Sequence, residues 1–173
     1  MIHLITEQLT STTPAPVAMT LLVAALVWFG VCATTLFVVD VREHRLPNTL
    51  NALLFVGGAA LLIASTLTSD SASVLADRWG MTLIGSGAYL AVMFILHLLT
   101  RAGLGMGDVK LAAGLGLYTG FLGFEALIAG FVLAFVVGGL QAVYLVVFRG
   151  AKKSTRIAFG PAMIIGCGIT LLM

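Results

Sequence analysis

Residues 17–39 run for 23 positions without one charged side chain. At about 1.5 Å per residue, a helix of that length crosses the roughly 30 Å hydrocarbon core of a bilayer. Lipid offers the backbone no hydrogen bonds, so a continuous apolar run of this kind has to satisfy its amides internally, as a helix. Apolar runs recur at 49–67, 81–99 and 111–148, the last broken only by Glu125. A strand barrel would need alternating segments of about ten residues, and the runs here do not alternate. Composition agrees. The 173 residues are 60% hydrophobic and 9% charged, where a soluble domain carries about 25% charged residues. A water-soluble globule, a disordered chain and a disulfide scaffold are excluded.

The breaks between runs divide the chain. Residues 40–48, DVREHRLPN, are charged and close near Pro47, which pushes its predecessor out of helical geometry. Residues 68–79 are a polar loop. Residues 100–110, TRAGLGMGDVK, hold three glycines, and 149–158 form a basic loop. The run 111–148 is too long for one span and is expected to turn at Gly120, Gly123 and Glu125. Six helices are thus expected: 17–39, 49–67, 81–99, 108–120, 124–148 and 159–173. The expected fold is all-α, a polytopic six-helix transmembrane bundle over 17–173, preceded by a polar segment at 1–16. No Lys or Arg precedes the first run, so it reads as a retained helix rather than a cleaved leader.

Basic residues orient the bundle. Arg42, Arg45, Arg101, Lys110, Arg149, Lys152, Lys153 and Arg156 fall in loops on one side, and only Arg78 on the other. By the positive-inside rule the first side is cytoplasmic, so both termini are expected outside. The expected location is the cytoplasmic (plasma) membrane. The basic loops also suit acidic lipid headgroups. A net charge of +2 implies no nucleic-acid partner.

Acids at an apolar boundary are functional candidates, because burying them is costly. Glu7, Asp70, Asp77 and Glu125 lie on the outer side, and Glu43 lies within a charged loop. Asp40 ends the first helix and Asp108 opens the fourth, both on the inner side, 68 positions apart. Two carboxylates facing one another suit acid–base work on a peptide bond. One, ionised, activates water, and the other, protonated, donates to the carbonyl oxygen. Gly103, Gly105 and Gly107 let backbones approach closely beside Asp108. No cofactor or metal is expected: His3, His44 and His97 are scattered, and Cys32 and Cys167 sit in apolar runs with no paired spacing. His97 reads as a packed or interface residue, and Gly116 with Gly120 as a helix contact.

These residues carry a resemblance. Residues 40–48, from Asp40 through Leu46, Pro47 and Asn48, resemble the first aspartate motif of the type IV prepilin peptidases. Gly105-Met106-Gly107-Asp108-Val109-Lys110 resembles their GxGD motif with its following Val-Lys pair. Phe159-Gly160-Pro161 resembles a third, less specific feature. The resemblance implies a membrane-embedded aspartyl endopeptidase. Such an enzyme removes the short leader from prepilin-like precursors at the cytoplasmic face. Asp40 and Asp108 would be its catalytic pair, with Gly105, Gly107, Lys110 and Pro47 as supporting motif residues. Larger members carry a cysteine-bearing segment linked to methylation, which this sequence lacks, so a short, peptidase-only member is expected. Two other readings stand beside this one. A small transporter or proton-coupled channel would also use intramembrane acids, near the midplane. Proteases of the presenilin kind share only GxGD and place Tyr where this chain has Val39.

Overall fold

The computed structural model of the chain describes residues 1, 2, 5, 6, 16–43, 45–69, 75, 78–100, 104–149 and 159–173. His3, Glu7, His44, Asp70, Asp77, Arg101, Gly103, Lys152, Lys153 and Arg156 lie outside the described residues. Six long helices form the described fold: α1 Pro16–Glu43, α2 Asn48–Leu67, α3 Arg78–Leu99, α4 Met106–Leu122, α5 Phe124–Arg149 and α6 Gly160–Leu172. The all-α, six-helix expectation is borne out. Four of these helices, α1, α2, α3 and α5, are long and apolar enough to cross a membrane.

Several helix boundaries have a local cause. Pro47, extended at φ −61° and ψ 130°, caps α2, and Gly105, also extended, caps α4. Gly123 makes the tight turn between α4 and α5 at φ 119°, a conformation that a side chain would strain. Pro161 sits in the first turn of α6, where its missing N–H costs nothing.

Two boundaries differ from expectation. The first helix does not stop at Asp40 but continues through Glu43. No proline intervenes before Pro47, and a helix of 28 residues is about 42 Å long, so its last turn clears the apolar core. Residues 41–43 are accordingly exposed. The third helix starts three residues early, at Arg78, because that side chain is tied down. Its guanidinium donates to the Phe121 and Leu122 carbonyls at 2.8 and 3.3 Å.

The helices are layered around α4, which packs against α2, α3, α5 and α6. Residues 111–121 of α4 are buried without a break. A helix apolar on every side belongs in an interior, and 17 residues suffice there because other helices enclose it. The outer helices do the reverse. α1 buries Leu22, Ala25, Phe29, Cys32, Ala33 and Leu36 at helical spacing and turns Val23, Val27, Val31 and Val38 outward. Apolar side chains facing out on long apolar helices are at home against acyl chains. The chain is a multi-pass membrane protein.

Close packing centres on small residues. A Cβ on Gly85 of α3 would lie 2.5 Å from the Gly120 Cα, and one on Gly116 would lie 2.6 Å from the Gly85 carbonyl oxygen. Gly116 and Gly120 are therefore a helix contact, as expected. Ser86 Oγ adds a hydrogen bond to the Ala113 carbonyl at 2.9 Å. Tyr118 reaches from α4 past Gly58 to α1. Its hydroxyl donates to the Ala25 carbonyl at 3.3 Å, and its ring meets Phe29 at a centroid distance of 4.9 Å. Both cysteines are buried, free thiols.

Candidate active site

The site lies where three helix ends converge. Asp40 is in the last turn of α1, Asp108 is the third residue of α4, and Gly160 is the first residue of α6. Both acids are buried, at 4% and 8% exposure. That is unusual for a group whose charged form is so strongly hydrated, and it marks the pair apart from exposed Glu43 and Glu125.

Local geometry accounts for Asp108. Gly105 is the N-cap of α4, and its carbonyl accepts from the Asp108 and Val109 amides at 3.1 and 3.4 Å. The Asp108 carboxylate in turn folds back toward the Gly105 backbone, its Oδ2 3.2 Å from where a Gly105 Cβ would stand. It also faces the backbone N–H of Gly160, so it sits at the N-termini of two helices, where anions are favoured. Asp40 lies close enough for the two charges to act on one another.

Gly160 joins the pair. A Cβ there would stand 2.5 Å from Asp40 Oδ2 and 3.3 Å from Leu46 Cδ1. One residue thus offers its amide to Asp108 and its bare Cα to Asp40. Leu46 also packs on Gly107, where a Cβ would lie 2.9 Å from the Leu46 Cβ. Pro47 directs the chain from Leu46 into α2. At the rim, Lys110 Nζ donates to Asn48 Oδ1 at 2.8 Å. Deeper in, Asn51 Nδ2 donates to the Gly107 carbonyl at 3.3 Å. The His97 ring nitrogen Nδ1 lies 2.6 Å from the Leu104 carbonyl oxygen, which pins the approach to Gly105.

The structure therefore gathers Asp40, Asp108, Gly105, Gly107, Pro47 and Lys110 at one end of the bundle. His97 is a half-buried packing residue, as read from sequence. Three contributors escaped that reading: the double role of Gly160, the packing of Leu46 and the hydrogen bond of Asn51. Asn51 did leave a signal, as a polar residue three positions after Asn48 inside an otherwise apolar helix. Among the described residues, no three His, Cys, Asp or Glu side chains cluster as metal ligands would. Two carboxylates sharing a buried site can split the roles of proton acceptor and proton donor.

Residues 26–143 match the type IV leader peptidase family, a stretch that contains both aspartates. The chain belongs to this family. Its relatives include the prepilin leader peptidase/N-methyltransferase of Aeromonas hydrophila. That protein is 31% identical over 96% of this chain and 56% of its own length. The protein of the same name from Burkholderia pseudomallei strain K96243 is 33% identical over 86% of this chain and 46% of its own length. The one from Bacillus subtilis is 27% identical over 75% and 47%. The chain spans about half the length of the curated relatives it matches. No solved structure matches it. The family match ends before α6, so it includes Asp40 and Asp108 but stops short of Gly160, the residue between them.

Proposed function

We propose that this chain is a membrane-embedded aspartyl endopeptidase that removes the leader peptide from prepilin-like precursors. The observation that carries the proposal is the meeting of Asp40 and Asp108 at Gly160, in a chain whose relatives are named for leader cleavage. In this reading Asp40 and Asp108 are the catalytic pair. Gly105, Gly107, Pro47 and Lys110 shape the loop and helix start that present them. One carboxylate, ionised, takes a proton from water as the oxygen attacks the scissile carbonyl carbon. The other, protonated, donates to the carbonyl oxygen, giving a neutral gem-diol. Collapse of the gem-diol breaks the C–N bond: one of its hydroxyls returns a proton to the second carboxylate, and the leaving amine takes the proton held by the first.

Burial of both acids at helix ends supports this reading over a transporter, whose acids belong near the bilayer midplane. The site is proposed to lie at the cytoplasmic face of the plasma membrane. Exposed Arg42, Arg45 and Lys110 lie at that end of the bundle, as cytoplasmic basic residues do, and six helices then put both termini outside. Residues 17–173 are read as a single membrane peptidase domain. The relatives' names also carry an N-methyltransferase activity. The chain spans about half their length, and the proposal concerns peptide cleavage alone.

Co-expression with a tagged prepilin tests the reading by the mobility shift of leader removal. Wild type is expected to cut. Asp40→Asn and Asp108→Asn are each expected to lose at least about 1,000-fold in rate while remaining folded in the membrane, because an amide cannot exchange the proton. Full cleavage by either variant would exclude the pair.

A further inference from the structure

Asn51 is an unfavourable residue for its position. It lies one turn into α2, at 3% exposure, with Leu50, Leu53 and Leu54 beside it in sequence. Its Oδ1 is buried with no hydrogen-bond partner among the described residues. A buried acceptor left in that state costs about 1–3 kcal/mol, and a leucine there would avoid the cost. What the amide provides is one bond across 56 positions, from Nδ2 to the Gly107 carbonyl.

That carbonyl does not need it. Within α4 it faces the amide four residues on, as any helical carbonyl does. Gly107 does need holding, because it has no side chain of its own to pack and it directly precedes Asp108. Asn48 and Asn51 are three apart on α2, and Gly107 and Lys110 are three apart on α4, so each pair shares a helix face. The outer bond, Lys110 to Asn48, joins two exposed residues. Of the two bonds between these helices, the inner one is the bond that reaches the peptide unit carrying Asp108.

We propose that Asn51 is a positioning residue, which fixes the Gly107–Asp108 peptide unit and so aims the Asp108 carboxylate at Asp40. Its kinetic test rests on the peptidase reading, and its structural test does not. The full chain in lipid nanodiscs is compared with Asn51→Leu, which fills the same space and removes the unpartnered acceptor. The variant is expected to cut prepilin with kcat about tenfold lower or more, since small misplacements of reacting groups have large effects. KM stays within about twofold, and thermal stability is equal or higher. Amide hydrogen exchange is expected to rise at 105–111 and to stay unchanged at 112–122. A wild-type kcat, a loss of kcat matched by a loss of stability, or unchanged exchange at 105–111 would overturn the proposal. If the leucine chain does not accumulate, Asn51→Thr, too short to reach Gly107, is read by the same measurements. If wild type itself cuts no prepilin, the peptidase reading fails, and the exchange pattern still decides the positioning role.

Discussion

The two ends of α4 are built on opposite principles. At its C-terminus the last carbonyls meet a charged partner that satisfies them. Arg78 donates to the Phe121 and Leu122 carbonyls, its guanidinium lies 6.0 Å from the Phe121 ring centroid, and Gly85 closes against Gly116 and Gly120. At its N-terminus the partner of the free amides is an acid, Asp108, which sits beside a second buried acid. Both ends solve the unpaired backbone groups that every helix leaves. One solution stores stability. The other holds groups that would be more stable elsewhere, which is how reactive sites are built. Substitutions at the two ends should therefore separate activity from stability.

Gly160→Ala should give the largest separation. The new Cβ would stand 2.5 Å from Asp40 Oδ2, and the end of a short side chain is what must move. The amide that serves Asp108 is retained. Cleavage is expected to fall about 100-fold, the scale of an ångström-sized misplacement, with the melting temperature nearly unchanged. Initial rates and thermal unfolding on the same preparation check it. Wild-type activity would show that Asp40 can shift freely and that the N-terminal end is less constrained than the structure implies.

Arg78→Met should do the converse. It removes two charge-assisted hydrogen bonds from part-buried carbonyls, at a cost of up to about 1–3 kcal/mol each. The variant is expected to unfold at lower temperature while its rate per folded molecule stays within about twofold. A rate loss larger than the loss of folded protein would mean that the C-terminal end communicates with the acids along α4.

The same contrast explains what could be read from sequence. Helices α2 and α5 begin within a residue of expectation because Pro47 and Gly123 are strong local punctuation. The end of α1 and the start of α3 lie a few residues beyond the apolar runs, because charge in the sequence marks the edge of the bilayer rather than the edge of the helix. Arg78 reads in sequence as a loop charge, and its distant partners, the carbonyls at the end of α4, make it part of a helix. Asp40 and Asp108 stood out because few acids occur in so apolar a chain. Gly160 enters the sequence reading only within the Phe159-Gly160-Pro161 resemblance, and its role does not enter at all, since that role lies in missing atoms beside a residue 120 positions earlier. No local pattern encodes an empty space.

Lys110→Met is expected to have the smallest effect. Its ammonium reaches Asn48 Oδ1 at 2.8 Å, but both residues are exposed, and exposed contacts of this kind contribute at most about 1 kcal/mol. The inner bond from Asn51 to Gly107 remains, so the peptide unit before Asp108 stays held. The rate is expected to fall by less than about fivefold, with a stability change too small to resolve by thermal unfolding. A loss approaching that of Asn51→Leu would mean that the first turn of α4 is gripped as much from its wet rim as from its buried side. The distinction between a holding end and a reacting end would then have to be redrawn one residue further out.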